Sequence, residues 1–314
     1  VVYLKQIGTF VPRTTVTVRD LGADLGLTES KVRFYRKFLG FDRVAVAPEA
    51  GIVDLLVPAG RDALRGVDPA GVRYLIYAHT IQHIAPPSHR VLDRVRDGLG
   101  LSNATAFALS HQNCAAGLYA VQVARYLLHG ADPDATALIL AGEKAASGWM
   151  QLIPGTAIMG EATAACLIGA GSGGDRVLGV SMRILGEFYR GNECSDDLKR
   201  KYDQMYAETM CSVIRDALDR GGIDLAEITA VLPNNVNRFS WRQISRNLEI
   251  PLDRFYLDNI SEFGHCFSAD PFINLAHART NGRVKPGDHV LLVSSGLGAI
   301  FAALVLRVGE GALA

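Results

Sequence analysis

The stretch Ala106-Phe107-Ala108-Leu109-Ser110-His111-Gln112-Asn113-Cys114-Ala115-Ala116-Gly117-Leu118-Tyr119-Ala120 decides how this chain is read. An apolar run, Thr105–Leu109, has strand length and stops at a polar knot. Beyond the knot, Leu118, Val121, Ala124 and Leu128 recur at helical spacing, with Arg125 among them, so a helix runs to about Leu128. Cys114 then stands at or near a helix N-terminus. Free N–H groups and the helix dipole favour an anion there, and so favour the thiolate. Small residues on both sides let a substrate chain approach the backbone. Cys114 therefore reads as a nucleophile that carries an acyl group. The alternative is a buried packing cysteine, the common fate of a lone Cys.

Outward from this stretch the pattern is strand, helix, strand. Tyr3–Thr9, Val72–Ala78, Thr105–Leu109, Ala137–Ala141 and Ala162–Gly169 read as strands. Val18–Leu25, Ser30–Leu39, Asp54–Arg65 and Ser88–Gly98 read as helices, with Pro58 near the start of the third. The second half repeats the order. Val177–Leu185, Ile228–Leu232, Phe255–Leu257, Val290–Val293 and Ile300–Val308 are predicted strands. Leu198–Arg220, Ser240–Leu248 and Asp270–Thr280 are predicted helices. Three strand pairs correspond in place: Val72–Tyr77 with Ile228–Leu232, Ala137–Gly142 with Val290–Ser295, and Ala164–Gly169 with Ala302–Leu306. The chain thus reads as a duplication, with halves 1–172 and 173–314 parted at the glycine-rich run Gly171-Ser172-Gly173-Gly174. Alternating strands and helices imply mostly parallel sheets covered on both faces. Two halves packed through helices give five layers, α/β/α/β/α, with the helix after Cys114, apolar nearly all round, at the centre.

Composition narrows the function. The chain has 314 residues, 49% of them apolar, and 32 basic residues balance 32 acidic ones. Zero net charge argues against a nucleic-acid partner or a polybasic membrane surface. The five cysteines (Cys114, Cys166, Cys194, Cys211, Cys266) are widely spaced and contain no CxxC pair. They read as reduced thiols of a cytoplasmic protein. The chain opens at Val1 without a secretory signal, and the missing Met points to a start upstream. Val290–Val308 is the most apolar run, but Ser294, Ser295, Gly296 and Gly298 break it into two strands and a turn, so no membrane span is expected. His79 and His83 are four apart but fall in a loop. With His111 they read as pocket or core histidines, and no metal is expected. Glu143-Lys144, after a strand, reads as a buried ion pair. Lys31, Arg33, Arg36 and Lys37 form a solvated face or a rim that meets a phosphate-bearing carrier.

Five segments together resemble the ketoacyl synthase III branch of the thiolase superfamily, over nearly the whole chain. Gln112-Asn113-Cys114-Ala115-Ala116-Gly117 is similar to its nucleophile turn. Leu232-Pro233-Asn234-Asn235-Val236-Asn237 stands where the branch has Pro-His-Gln-Ala-Asn. Phe263-Gly264-His265 stands where it has Gly-Asn, Gly296-Leu297-Gly298 stands at its oxyanion loop, and Met159–Ala164 resembles its Gly-Asp-Gly-Ala turn. The resemblance implies a thiolase-like duplicated fold with two mixed sheets, and a homodimer paired through the strand at Thr105–Leu109. It also implies an oxyanion hole from the backbone N–H groups of Cys114 and Leu297.

The departures bear on the chemistry. Condensing enzymes of the branch use Cys, His and Asn. Here Asn234 occupies the usual His position, His265 occupies the usual Asn position, and Asp270 follows five residues later. A Cys-His-Asp set resembles the ketoacyl synthase III-like acyltransferases of polyketide and glycoside tailoring, which move an acyl group onto an alcohol or amine. Decarboxylative condensation needs two neutral donors for an enolate oxygen, whereas ester or amide formation needs a base oriented by a carboxylate. The implied cycle loads Cys114 from an acyl thioester on coenzyme A or an acyl carrier protein and unloads it to a small hydroxyl or amine acceptor. His265 is the base, Asp270 orients it, and Asn234 orients a substrate group; no cofactor is implied. Asp270 also reads as a first-turn acid of its helix. Two other readings stay open: a C–C condensing enzyme with His and Asn exchanged, and a non-catalytic partner subunit, against which the retained Cys114 argues. No Trp lies between Arg33 and Pro58, where the branch often stacks the adenine of coenzyme A, which leaves a carrier-protein donor open.

Overall fold

The computed structural model describes residues 1–81, 84–145 and 147–310. Its main strands are β1 (Tyr3–Phe10), β2 (Val72–Ala78), β3 (Thr105–Leu109), β4 (Thr136–Gly142), β5 (Thr163–Gly169), β6 (Asp175–Ile184), β7 (Ile228–Pro233), β8 (His289–Gly296) and β9 (Ile300–Arg307). The helices that cover them are α1 (Ile52–Ala63), α2 (Val91–Gly98), α3 (Ala116–Leu127), α4 (Asp196–Gly221), α5 (Arg238–Leu248) and α6 (Asp270–Thr280).

The strands follow the order β7-β8-β9-β6-β1-β5-β4-β2-β3. Read from the centre outward, β1-β5-β4-β2-β3 and β6-β9-β8-β7 mirror each other. A parallel bridge from Val231 to Phe255 supplies the position that answers β3. The three strand pairs matched in sequence occupy equivalent places in the two halves. Tyr3 and Leu4, paired with Arg176 and Asp175, join the half-sheets into one nine-stranded ladder. Both half-sheets are mixed. β2 runs parallel to β3 and β4, and β7 to β8, whereas β4–β5, β1–β5, β6–β9 and β8–β9 are antiparallel. The mostly parallel sheets expected from alternation are corrected on this point: residues 297–299 are too short a link between β8 and β9 for a crossover.

Alternation along the buried strands assigns the layers. Ile76, Ile139 and Cys166 face inward with Leu232, Leu292 and Leu304 of the other half, around Leu118 and Val121 of α3 and Phe272 and Ile273 of α6. Leu75, Leu138 and Leu167 face outward under α1 and α2. Leu291, Val293 and Phe301 face outward under α4 and α5, where Trp241 is fully buried. The body is therefore five layers with α3 and α6 in the middle. α3 is not apolar all round: Gln122 and Arg125 are half-buried, and Tyr126 is 71% exposed at its outer end.

Local differences have local causes. The helix read as Ser30–Leu39 is α-helical over Glu29–Arg33 and then widens into a π-helical turn, Phe34–Leu39, closed by Gly40 at φ 97°. Asp54–Arg65 begins earlier, at Ile52, because Asp54 accepts the Gly51 N–H and fixes the start; Pro58 lies inside the helix. No helix among the described residues is long and apolar enough to cross a membrane. The five cysteines are free and buried.

Candidate active site

The polar knot after β3 is a sharp turn. Asn113 sits at φ 49°, a left-handed conformation that Asn tolerates better than most residues. A single 3₁₀ turn, Asn113–Ala115, leads into α3. Cys114 is thus lifted onto a tight turn just ahead of the α-helix, and it is 3% exposed. The C-terminal half fastens it there. Ser294 Oγ donates to the Cys114 carbonyl at 2.7 Å, and Asn113 Nδ2 donates to the Leu297 carbonyl at 2.6 Å. Gly296 packs so closely that a Cβ would lie 2.8 Å from the Gln112 oxygen and 3.2 Å from the Cys114 nitrogen. The loop Ser295-Gly296-Leu297 is therefore laid directly against the nucleophile turn.

His265 is locked from both sides of its peptide. Its N–H donates to Ile158 O at 2.9 Å, and its carbonyl accepts from Gly160 N at 2.9 Å. Its ring is fully buried, with Nε2 3.1 Å from Cys114 Sγ and Nδ1 2.5 Å from Asp270 Oδ2. Asp270, at the first turn of α6, is fully buried and well supplied with donors. Asn235 N reaches Oδ2 at 2.6 Å, while Cys266 N at 2.7 Å and Asn235 Nδ2 at 3.2 Å reach Oδ1. With Nδ1–H donating to this carboxylate, Nε2 faces the sulfur. Burial alone would drive the imidazole towards neutrality. The Cys114 sulfur and the Asp270 carboxylate outweigh burial and push His265 up to about 10. The line Asp270–His265–Cys114 thus brings an imidazole, oriented by a carboxylate, to a sulfur, an arrangement that can activate a nucleophile.

Asn234 is fully buried, and its amide is bonded to the backbone of Ser295. Its Nδ2 donates to Ser295 O at 2.9 Å, Ser295 N reaches its Oδ1 at 3.4 Å, and Trp241 Nε1 donates to its carbonyl at 2.8 Å. The side chain braces the loop that carries Leu297. Its neighbour Asn235 braces Asp270, and a buried chain of amides continues from it: Asn274 Nδ2 to Asn235 Oδ1 at 3.0 Å, and Asn259 Nδ2 to Asn274 Oδ1 at 2.7 Å. Asn235 and Asn274 were missed from sequence, although the run Pro233-Asn234-Asn235-Val236-Asn237 was the available signal. Thr80 was missed as well; its Oγ1 stands 4.0 Å from Cys114 Sγ.

Glu143 is not paired with Lys144. Its carboxylate takes the N–H of Thr80 and, at 2.9 Å, that of Ile81. Burial pushes it up to about 8 against the pull of those bonds and of His265. Lys144 pairs instead with Glu161 at 3.3 Å. The reading of an ion pair is corrected because opposite sides of the strand end take the two side chains. His79 is buried and bonded to Ile81 O at 2.7 Å, while His111 is exposed. His83 lies outside the described residues. Among the described residues, no three His, Cys, Asp or Glu side chains cluster as metal ligands.

Cys114 and His265 lie in a cavity of about 400 Å³. Tyr206, its phenol pushed up to about 12 by burial, bonds Ser295 Oγ at 3.0 Å and so stays a neutral hydrogen-bonding wall. At the mouth Phe34, Phe38 and Phe239 stack in sequence, with centroids 5.3 and 4.9 Å apart, and each is 40–47% exposed. The basic residues Lys31, Arg33, Arg36 and Lys37 are exposed around the same turn, Arg36 paired with Asp42 at 2.6 Å.

Comparison with known proteins bears on the fold. Residues 218–308 match the family model described as 3-oxoacyl-[acyl-carrier-protein] synthase III C terminal. A β-ketoacyl-[acyl-carrier-protein] synthase III from Lactobacillus delbrueckii subsp. bulgaricus is 25% identical over 327 residues, covering 95% of this chain and 97% of the relative. The solved structure of ChlB3, an acyltransferase, superposes with a TM-score of 0.89 at 20% identity, covering 99% of this chain and 98% of that one. The 3-oxoacyl-(acyl carrier protein) synthase III of Pseudomonas aeruginosa gives 0.81 at 21% identity, covering 98% of each chain. The chain thus has the fold of the solved 3-oxoacyl-(acyl carrier protein) synthase III structures, and its residues 218–308 match the C-terminal model of that family.

Proposed function

We propose that this chain is an acyltransferase. It takes an acyl group from a thioester, on coenzyme A or an acyl carrier protein, and passes it through a Cys114 acyl-enzyme to a hydroxyl or amine. The observation that carries the reading is the buried line Asp270–His265–Cys114, at 2.5 and 3.1 Å, with the Asn234 amide bonded to the Ser295 backbone. One imidazole, oriented by a carboxylate, addresses the sulfur; a pair of neutral donors does not.

In the proposed cycle the thiolate attacks the thioester carbonyl, and the backbone N–H groups of Cys114 and Leu297 receive the oxyanion. The His265 imidazolium gives its proton to the departing carrier thiolate. Acylation removes the charge on the sulfur, and with it one of the two charges that hold His265 protonated. The neutral imidazole then takes the proton of the acceptor O–H or N–H, the new C–O or C–N bond forms as the C–S bond breaks, and the proton returns to sulfur. Asn234 acts here by positioning the oxyanion loop. No resident cofactor enters the cycle.

The aromatic stack and basic turn at the mouth support a donor with a phosphate-bearing arm. The two halves, 1–172 and 173–314, each supply one end of the catalytic line. β3 supports the expected homodimer: it is a sheet edge whose Ala106, Phe107 and Leu109 are only half-buried, open to pairing across a two-fold.

Decarboxylative condensation is the second reading, favoured by the names of the curated relatives. Incubation with an acyl thioester, with and without a malonyl thioester, separates the two. Acyl transfer to an added alcohol or amine without carbon dioxide supports the acyltransferase; carbon dioxide release coupled to a β-keto product overturns it. A chain that never gains acyl mass at Cys114 would be a non-catalytic partner.

A further inference from the structure

In the proposed cycle the C–S bond at Cys114 breaks while His265 is engaged with the proton of the incoming group. One imidazole does not serve both atoms at once, so the leaving sulfur calls for a second donor. Among the described residues, Thr80 is the one side chain besides His265 whose polar atom reaches that sulfur. Its Oγ1 stands 4.0 Å from Cys114 Sγ. The distance is long for a resting hydrogen bond, but such contacts commonly tighten only when substrate is reacting.

The segment that leaves β2 and carries Thr80 is fixed through its backbone at every residue. Ser268 Oγ donates to Ala78 O at 2.8 Å, and His79 N donates to Leu109 O at 2.9 Å. The N–H groups of Thr80 and Ile81 donate to Glu143, and His79 Nδ1 donates to Ile81 O at 2.7 Å. Glu143 is fully buried, and burying a carboxyl is costly. What that cost achieves is a fixed position for the Thr80 peptide beside the sulfur. Burial also pushes Glu143 up to about 8, against the pull of the Thr80 hydroxyl. At neutral pH a protonated carboxyl therefore faces Thr80 and leaves the hydroxyl hydrogen free for the sulfur, where a carboxylate would compete for it.

We propose that Thr80 is a second donor to the Cys114 sulfur: its hydroxyl hydrogen-bonds the sulfur while negative charge gathers there, and Glu143 positions it. A fixed donor aimed where charge develops lowers the barrier on both sides of the acyl-enzyme. The inference rests on Cys114 carrying the acyl group, and not on which acceptor follows. In discharge the incoming group gives its proton to His265 and bonds the acyl carbon. The C–S bond then breaks, and that proton passes from His265 to the sulfur. Thr80 keeps its own proton throughout.

The test follows acylation of Cys114 by intact mass in both directions. The chain is loaded from a panel of acyl thioesters of coenzyme A and N-acetylcysteamine, then unloaded to free N-acetylcysteamine, which tests C–S cleavage under either reading of the acceptor. Thr80→Val keeps the branched shape and loses the hydroxyl; Thr80→Ser keeps the hydroxyl and loses the methyl. Thr80→Val should slow loading and unloading by about ten-fold, and Thr80→Ser should stay within about three-fold of wild type. Thr80→Ala, which lacks both groups, should match Thr80→Val. A packing role gives the opposite order, because serine leaves a methyl-sized gap and valine does not. That opposite order, equal losses in Thr80→Val and Thr80→Ser, or a Thr80→Val chain that matches wild type overturns the proposal. A wild type that gains no acyl mass at Cys114 from any thioester overturns the carrier reading itself, and this inference with it.

Discussion

The two central helices present the same device to opposite sides of one imidazole. α3 begins just after Cys114, and α6 begins at Asp270. The two helices are counterparts in the duplicated pattern. Each offers a helix N-terminus, which favours negative charge. One holds a sulfur and the other a carboxylate, and His265 lies between them. The difference lies in how each anion is held. Among the described residues, Asp270 is fixed by three hydrogen bonds besides that of the imidazole, whereas the Cys114 side chain touches only His265 within normal bonding distance, with Thr80 further off at 4.0 Å. In the proposed cycle the loosely partnered group is the one that forms and breaks a covalent bond. A group that must only orient is tied on every side.

Removing the loosely held group should have the largest effect. Cys114→Ala is expected to abolish acyl loading by intact mass and to lower turnover by about 10⁴-fold or more. Retained turnover would mean that the sulfur is not the carrier.

Removing the charge of the tied group should come next. Asp270→Asn is expected to lower turnover by about 10³–10⁴-fold while Cys114 still alkylates, because the imidazole loses its orienting acceptor.

The pH dependence sharpens the comparison further. His265 is raised to about 10, and in the proposed cycle loading needs its protonated form to release the carrier thiol. Loading is therefore present below that value and declines as pH rises through it. Discharge needs the neutral imidazole, so it should rise with pH, and its limb should lie lower because acylation removes the sulfur's charge. Asp270→Asn should move the alkaline limb of loading to lower pH. Single-turnover rates of each half-reaction across pH 6–10.5 measure both limbs, and identical profiles would break the assignment.

The support of Asp270 can be tested more gently. Asn235→Ala keeps the backbone N–H bond but removes the amide donor and leaves Asn274 short of an acceptor; a loss of about 1–3 kcal/mol in stability by denaturant unfolding is expected. The smallest effect should come from Glu143. Burial raises its folded-state value to about 8, so it stays protonated longer in the folded chain than in the unfolded one. Stability is then lost as pH rises from the ordinary carboxylate range towards 8. Glu143→Gln should flatten that slope in thermal unfolding, with turnover changed only a few-fold.

Much of this was legible in the chain itself. Strand and helix periods, the matched strand pairs and the helix start after Cys114 are local patterns, because side-chain alternation and turn chemistry act over a few residues. His265 and Asp270 are paired in sequence only through the resemblance to acyltransferases with a Cys-His-Asp set. Asn234 shows where local reading stops: its place in the sequence suggested a group facing substrate, but the approach of Ser295, 61 residues on, claims both ends of its amide. Glu143 was claimed in the same way, by the peptide of Thr80 rather than by the lysine beside it.

The sequence by itself determined a duplicated α/β chain with a sulfur, an imidazole and a carboxylate at helix and strand ends. Only the tertiary structure decided that Asn234 braces the Ser295 loop and Asn235 braces Asp270. Hydrogen bonds between distant segments are set by how the two half-sheets pack across α3 and α6, and no periodicity within either half encodes that distance.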